Sequence, residues 1–303
     1  MKGYKAFNPG LVCQKKQYAE NTIFEEDKAS ICSCGMHFCQ NPFDVLDYYD
    51  LVREDGSFND FAEVEALADT KTDNNKKFCT TKLKIGAKLS FAGFVKACVD
   101  FVLEKTVKDM PNSNVDSGNY AQIGSSGNSA KIGSSGNSAK IGSSGYSAKI
   151  GSSGNSAQIG SSGNSAKIGS SGYSAKIGSS GNYAQIGSSG NSAKIGSSGN
   201  SAQIGSSGNS AKIGSSGNYA KIGSSGNCAQ IDCTGNDSVI CCAGRNSIVK
   251  AKKGCWITLS EWNYDQKKGR YVPLCVKTEY VDGENIKEDV FYKLVNGKFV
   301  ECR

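Results

Sequence analysis

No aspartate or glutamate occurs between Ser117 and Ile231, over a third of a 303-residue chain. Calcium is a hard cation that needs anionic oxygen ligands, so this stretch is not expected to bind it. Long apolar runs are also missing, which argues against a membrane span. The opening Met1-Lys2-Gly3-Tyr4-Lys5-Ala6-Phe7-Asn8-Pro9 lacks the apolar core of a secretory signal, and a cytoplasmic location is expected. The cysteines do not make an even set: there are thirteen, two of them adjacent at Cys241 and Cys242. That suits no tidy disulfide framework, and free thiols are expected throughout.

What is present is a repeat. From Ala121 to Asn246 the phrase A-(K/Q)-I-G-S-S-G-(N/Y)-S recurs fourteen times without insertion, the last two copies degenerate. A Gly/Ser-rich tract without phase would be a flexible linker. Here Ile falls at every ninth position from Ile123 to Ile240, with Ala two residues before it until Ser238 takes that place. Alternation in a short A-x-I strand sends Ala and Ile to one face and Lys or Gln to the other. The Gly-Ser-Ser-Gly-Asn-Ser remainder turns the chain, with glycine expected wherever φ is positive. One nonapeptide is too short to close a coil. Two per coil predict a parallel β-solenoid of about seven coils, rising roughly 4.8 Å each. The calcium-binding β-roll of secreted toxins shares the period, but Ser129 stands where its aspartate should be and Lys131 where its apolar residue should be.

The fold class expected is mainly β: an α+β head over 1–110, the solenoid over 111–247 and a β-rich cap over 248–303. Head strands are predicted at Gly3 to Phe7, Met36 to Cys39, Phe61 to Ala66 and Lys82 to Ile85. Helices are predicted at Pro42 to Tyr49, capped by Asn41, and at Ser90 to Lys108, ending near Met110-Pro111 and closing the first coil. In the cap, Ser247 to Lys250 and Cys255 to Trp262 read as strands, and Val290 to Val295 with Asn296-Gly297 and Lys298 to Val300 as a hairpin.

The positive charge belongs to the solenoid. Residues 1–116 carry 15 Lys/Arg against 18 Asp/Glu, 117–231 carry 8 against 0, and 232–303 carry 12 against 10. With two repeats per coil, Gln122, Lys140, Gln158, Lys176, Lys194, Lys212 and Gln230 share one face. Lys131, Lys149, Lys167, Gln185, Gln203 and Lys221 share the other. The eight lysines are candidate binding residues for nucleic acid or an acidic protein face. The plainer role is to keep an exposed sheet soluble. Tyr120, Tyr146, Tyr173, Tyr183 and Tyr219 recur too irregularly for a base-stacking platform.

Cys32, Cys34, His37 and Cys39 gather three thiols and the chain's one histidine within eight residues, with Cys13 a further possible ligand. They are candidate zinc ligands, but their C-x-C-x₂-H-x-C spacing crowds a single metal. A strand is the simpler expectation, and no metal or cofactor is expected.

Two resemblances arise from the head. The phrases Lys5 to Leu11, Gly35 to Pro42 and Asp44 to Tyr49, followed by GSSGNSAKI-type repeats and Gly254-Cys255-Trp256, resemble uncharacterised Firmicutes bacteriophage and prophage proteins. That resemblance implies a mobile-element protein in the host cytoplasm, acting through a host protein, a protein–nucleic-acid complex or nucleic acid directly, away from membranes. Inhibition of a bacterial defence system, of nuclease or CRISPR type, is the activity such an origin implies, and a homodimer or self-associating structural role is an alternative. Gly35 to Cys39, Tyr48-Tyr49 and Phe61 to Ala66 look like the motif arrangement of ADP-ribosyltransferases. That resemblance implies NAD stacking on Tyr48 or Tyr49, with acid–base work left to His37, Glu63 or Glu65.

Overall fold

The computed structural model describes residues 1–53, 58–73, 75–105 and 113–302, with only the backbone at 103–105 and 113–114. It is mainly β, with a solenoid of about 8 turns over residues 115–259. Each turn carries two four-residue strands, one in each of two parallel sheets, and each strand from Ser113–Asp116 to Gln230–Cys233 pairs in register with the strand 18 residues on, as Ile159 does with Ile177. Two nonapeptides therefore make one coil. The extra turn beyond seven comes from flanking strands outside the repeat, Ser113–Asp116 at the start and Trp256–Asp265 at the end.

In each strand, the second and fourth residues point inward. Ile141, Ile159, Ile177, Ile195 and Ile213 are fully buried, stacked in ladders with Ala139, Ala157 and Ala175. The corners differ from the expectation about glycine. Positive φ falls on the ninth repeat residue, as at Ser138 (56°), Tyr183 (58°) and Cys228 (55°), and on no repeat glycine. The turn glycines serve packing between coils instead: a Cβ on Gly136 would overlap the carbonyl oxygen of Gly118 in the coil before it. Asparagine side chains complete the corner, the Asn182 Oδ1 accepting the Asn200 N–H at 2.8 Å and the Asn200 Oδ1 accepting that of Asn218 at 2.9 Å.

The head is a seven-stranded antiparallel sheet with the order Ile23–Glu25, Lys82–Leu89, Asp60–Ala66, Lys2–Phe7, Met36–Cys39, Lys77–Thr80, Thr70–Thr72. The four expected head strands are present, and three more join them, Ile23–Glu25 and Thr70–Thr72 at the edges and Lys77–Thr80 inside one of them. The helix at Pro42 is shorter than expected: α1 spans Pro42–Val45, with the Asn41 Oδ1 accepting the Phe43 N–H at 3.0 Å. The second helix, α2, spans Phe91–Lys105, and its expected end at 106–111 lies outside the described residues.

Helix α2 does not close the first coil. It lies along the flank of the solenoid, between the head sheet and one solenoid sheet. Phe94 stacks on Phe61 at 3.8 Å on the head side, while Val95, Val99 and Phe91 reach glycines of the solenoid. Being apolar on two sides, the helix is buried from both, which places Val95, Val99 and Val102 among the best-covered residues. The far end is closed as expected by residues of the cap. Val281, Ile286, Tyr292 and Leu294 continue the Ile core. The hairpin Phe291–Val295 and Lys298–Cys302 turns at Asn296-Gly297, both at positive φ, and the Glu261 carboxylate accepts both turn N–H groups at 2.8 Å.

Candidate functional site

Because the solenoid strands read K/Q-I-G-S, their first and third residues face outward, so both sheets present the same chemistry: a Lys/Gln row beside a glycine row. The head covers one of them. Lys140 pairs with Asp44, Lys194 with Asp50, and Lys176 donates to the Leu46 carbonyl, while Gln158 Nε2 donates to Asp47 Oδ1 at 3.1 Å. Burial pushes the Lys176 ammonium below the usual lysine range, opposed by Asp50 and Asp47. Lys212 continues this row, half-buried. From Lys140 to Lys194 the row is thus no open face, because the acids at 44, 47 and 50 and the Leu46 carbonyl meet it.

Among the described residues, the second sheet is open. Lys131, Lys149, Lys167 and Lys221 are exposed, with Gln185 and Gln203 between them. Beside them runs a shallow trough of about 910 Å³, floored by Gly133, Gly151, Gly169, Gly187 and Gly205. Towards the cap the row turns apolar at Val239 and Trp256, whose indole packs on Tyr280 at 5.2 Å, and the outer hairpin strand exposes Leu274 and Val276. The five repeat tyrosines stand exposed at the corners, off the face.

A cleft of about 850 Å³ opens in the head. The strands Lys2–Phe7 and Met36–Cys39 pair only at Tyr4 and Cys39, and Lys5 donates to the His37 carbonyl at 2.9 Å. Burial lowers the Lys5 ammonium, an effect the adjacent Cys13 thiol partly offsets. Cys13 Sγ meets the Tyr49 hydroxyl at 3.1 Å, and burial pushes the Cys39 thiol up to about 12. His37 Nε2 accepts the Cys32 N–H at 3.2 Å, so the neutral ring carries its proton on Nδ1. Burial, then Lys5 and Lys77 nearby, hold its pKa below the ordinary histidine value. Lys5, Lys15, Lys16 and Lys77 line this cleft with the carboxylate of Glu26 and the rings of Tyr18, Tyr48 and Tyr49. Such a lining suits an anionic ligand with a planar part.

The cleft gathers some of the expected residues and leaves others apart. His37, Tyr48 and Tyr49 line it, Tyr48 with the Lys77 ammonium 4.6 Å from its ring centre. Glu63 and Glu65 lie on the strand beyond Lys2–Phe7 and line a separate hollow of about 550 Å³ with Lys84 and Phe101. Cys32 takes a hydrogen bond from Lys77 at 3.0 Å, Cys34 is exposed and Cys39 buried; among the described residues no three potential ligands gather at metal-binding distance. Sequence reasoning missed Cys13 and Lys5 as cleft partners of Tyr49, since only the folding back of residues 10–34 joins them.

Residues 1–97 match the family described as Domain of unknown function (DUF7666), which fits the head. No curated protein and no solved structure matches the chain. No helix among the described residues is long and apolar enough to cross a membrane.

Proposed function

We propose that the protein is a recognition module that presents the open face of its solenoid to an anionic macromolecule. The supporting observation is the pairing of two chemically equivalent faces, one of which already holds acidic groups of the chain's own head while the other stands uncovered with Lys131, Lys149, Lys167 and Lys221 exposed. The phage and prophage resemblance makes a component of a bacterial host, such as a defence complex, the natural partner, and inhibition by occlusion the natural mode of action. Binding that neutralises charge weakens steeply with salt. Wild type should bind a short DNA duplex or poly-glutamate at low salt and release it at high salt, and the variant with Lys131, Lys149, Lys167 and Lys221 all changed to Gln should bind neither. Salt-independent binding, or full binding by the variant, would move recognition to the head or cap.

A second reading is favoured by the cationic cleft with its tyrosines: the head holds a small anionic ligand such as NAD, as the ADP-ribosyltransferase resemblance implies. Calorimetry with NAD tests it against the Tyr48→Ala/Tyr49→Ala variant. No heat at millimolar nucleotide removes it.

A further inference from the structure

The two solenoid faces differ in one informative way. On the covered sheet, glycine is required by what lies above it. A Cβ on Gly178 would stand 3.1 Å from Val95 Cγ2, one on Gly142 3.3 Å from Val99 Cα, and one on Gly196 2.7 Å from the Phe91 ring. On the open sheet, a Cβ at Gly151, Gly169, Gly187, Gly205 or Gly223 meets nothing within 4 Å, and none of these glycines has positive φ. Glycine weakens a strand, and within one it marks the close approach of another body. Neither backbone conformation nor internal packing calls for it on the open side.

The covered face shows what such a surface accepts. Its glycine floor takes the valine ridge of α2, and its Lys/Gln row takes acids from α1 and the turn that follows it, Asp44 against Lys140, Asp47 against Gln158 one coil on, and Asp50 against Lys194 two coils beyond that. Three residues of helix advance about 4.5 Å, and one coil advances about 4.8 Å. A helical segment can therefore offer one acid to each coil.

We propose that the open face binds an α-helix of a partner protein, with small or β-branched residues on the glycine floor and a flanking row of acids on Lys131, Lys149 and Lys167. This rests on the open face being the recognition surface and names its partner. A nucleic acid fits less well, because the tyrosines that could stack on bases stand at the corners and the row is interrupted by Gln185 and Gln203.

The test uses the full chain, whose own head occupies the covered face. The probe is a stapled helical peptide copying Phe91 to Val102 with glutamates added along one flank, run beside a short DNA duplex. The variant Gly169→Val/Gly187→Val/Gly205→Val should keep the wild-type melting temperature, since nothing stands where the new side chains go, and should lose peptide affinity by about tenfold or more. The Lys131→Gln/Lys149→Gln/Lys167→Gln variant should lose it too. Undiminished peptide binding by the folded valine variant overturns the inference. If DNA binds wild type in a lysine-dependent way and the peptide does not, the face is a nucleic-acid surface: the helix partner fails while the broader function stands. If neither probe binds at low salt, both fall.

Discussion

Asp44 of the head and Lys140 of the solenoid, 96 residues apart in the chain, bury their charges against each other where α1 meets the covered sheet. With the contacts of Asp47, Asp50 and the Leu46 carbonyl, this ion pair joins the head to the solenoid. Removing one partner leaves a buried charge without compensation. Asp44→Ala should therefore cost about 3–5 kcal/mol in denaturant unfolding, and Asp44→Ala with Lys140→Met should recover much of it. A loss under half that range for the single variant would mean that water reaches Lys140.

The glycine contrast predicts opposite responses to the same substitution. Gly196→Val drives a side chain into the rings of Phe91 and Phe58 and should destabilise by about 1–3 kcal/mol. Gly187→Val, with open space above it, should be neutral or slightly stabilising because valine favours strands. Thermal melts of the two single variants decide it, and equal losses would refute the placement of the head.

The Ile ladder predicts a larger effect. Ile177 is fully buried, and Ile177→Asp puts an unpaired carboxylate in a thin core, costing at least ~3 kcal/mol with loss of β signal in circular dichroism. The neighbouring Lys176 is no neutral control, since Lys176→Glu would set a carboxylate beside Asp47 and Asp50. Lys167→Glu, on the open face, should leave the melting curve unchanged.

His37 predicts a pH dependence. Its pKa in the fold is lowered from 6.5, first by burial and then by Lys5 and Lys77. The unfolded chain then binds the proton more readily, so stability is full above about 6.5 and falls as pH drops from there through the lowered value. His37→Gln should flatten this fall. Stability curves of the two proteins that stay parallel between neutral pH and the onset of carboxylate titration would show the histidine to be freely hydrated.

Much of the fold was legible because a phased Ile leaves few alternatives: period nine, Ala and Ile on one face and 18 residues per coil all follow from Ile123, Ile132 and Ile141. The conformation of the corners was not, because nothing in Gly-Asn-Ser says that Ser138 takes positive φ while Gly136 makes room for the coil before it. The docking of the head was hidden for a related reason. Asp44 and Asp47 fall in a segment that reads as one helix from Pro42 to Tyr49, with nothing to mark them as partners of the solenoid, and Phe91, Phe94, Val95, Cys98, Phe101 and Val102 read as one helical stripe without Val99. That the stripe divides between two partners depends on contacts between residues tens of positions apart. The cleft was legible only in part, since His37, Tyr48 and Tyr49 are near in sequence whereas Lys5 and Cys13 reach them through a long loop.

The 18-residue coil also imposes a parity on the chain. Successive nonapeptides alternate between the covered and the open sheet, as Lys140 and Lys149 do. Gain or loss of two repeats lengthens or shortens the rod by one coil and leaves every later residue on its own side. Gain or loss of a single repeat exchanges the sides of everything downstream. The cap is built asymmetrically, Trp256–Asp265 continuing the open sheet and Phe291–Val295 the covered one, so an odd change would carry the Trp256 edge round to the flank where the head lies. Growth of this protein by tandem duplication is consequently quantised in pairs.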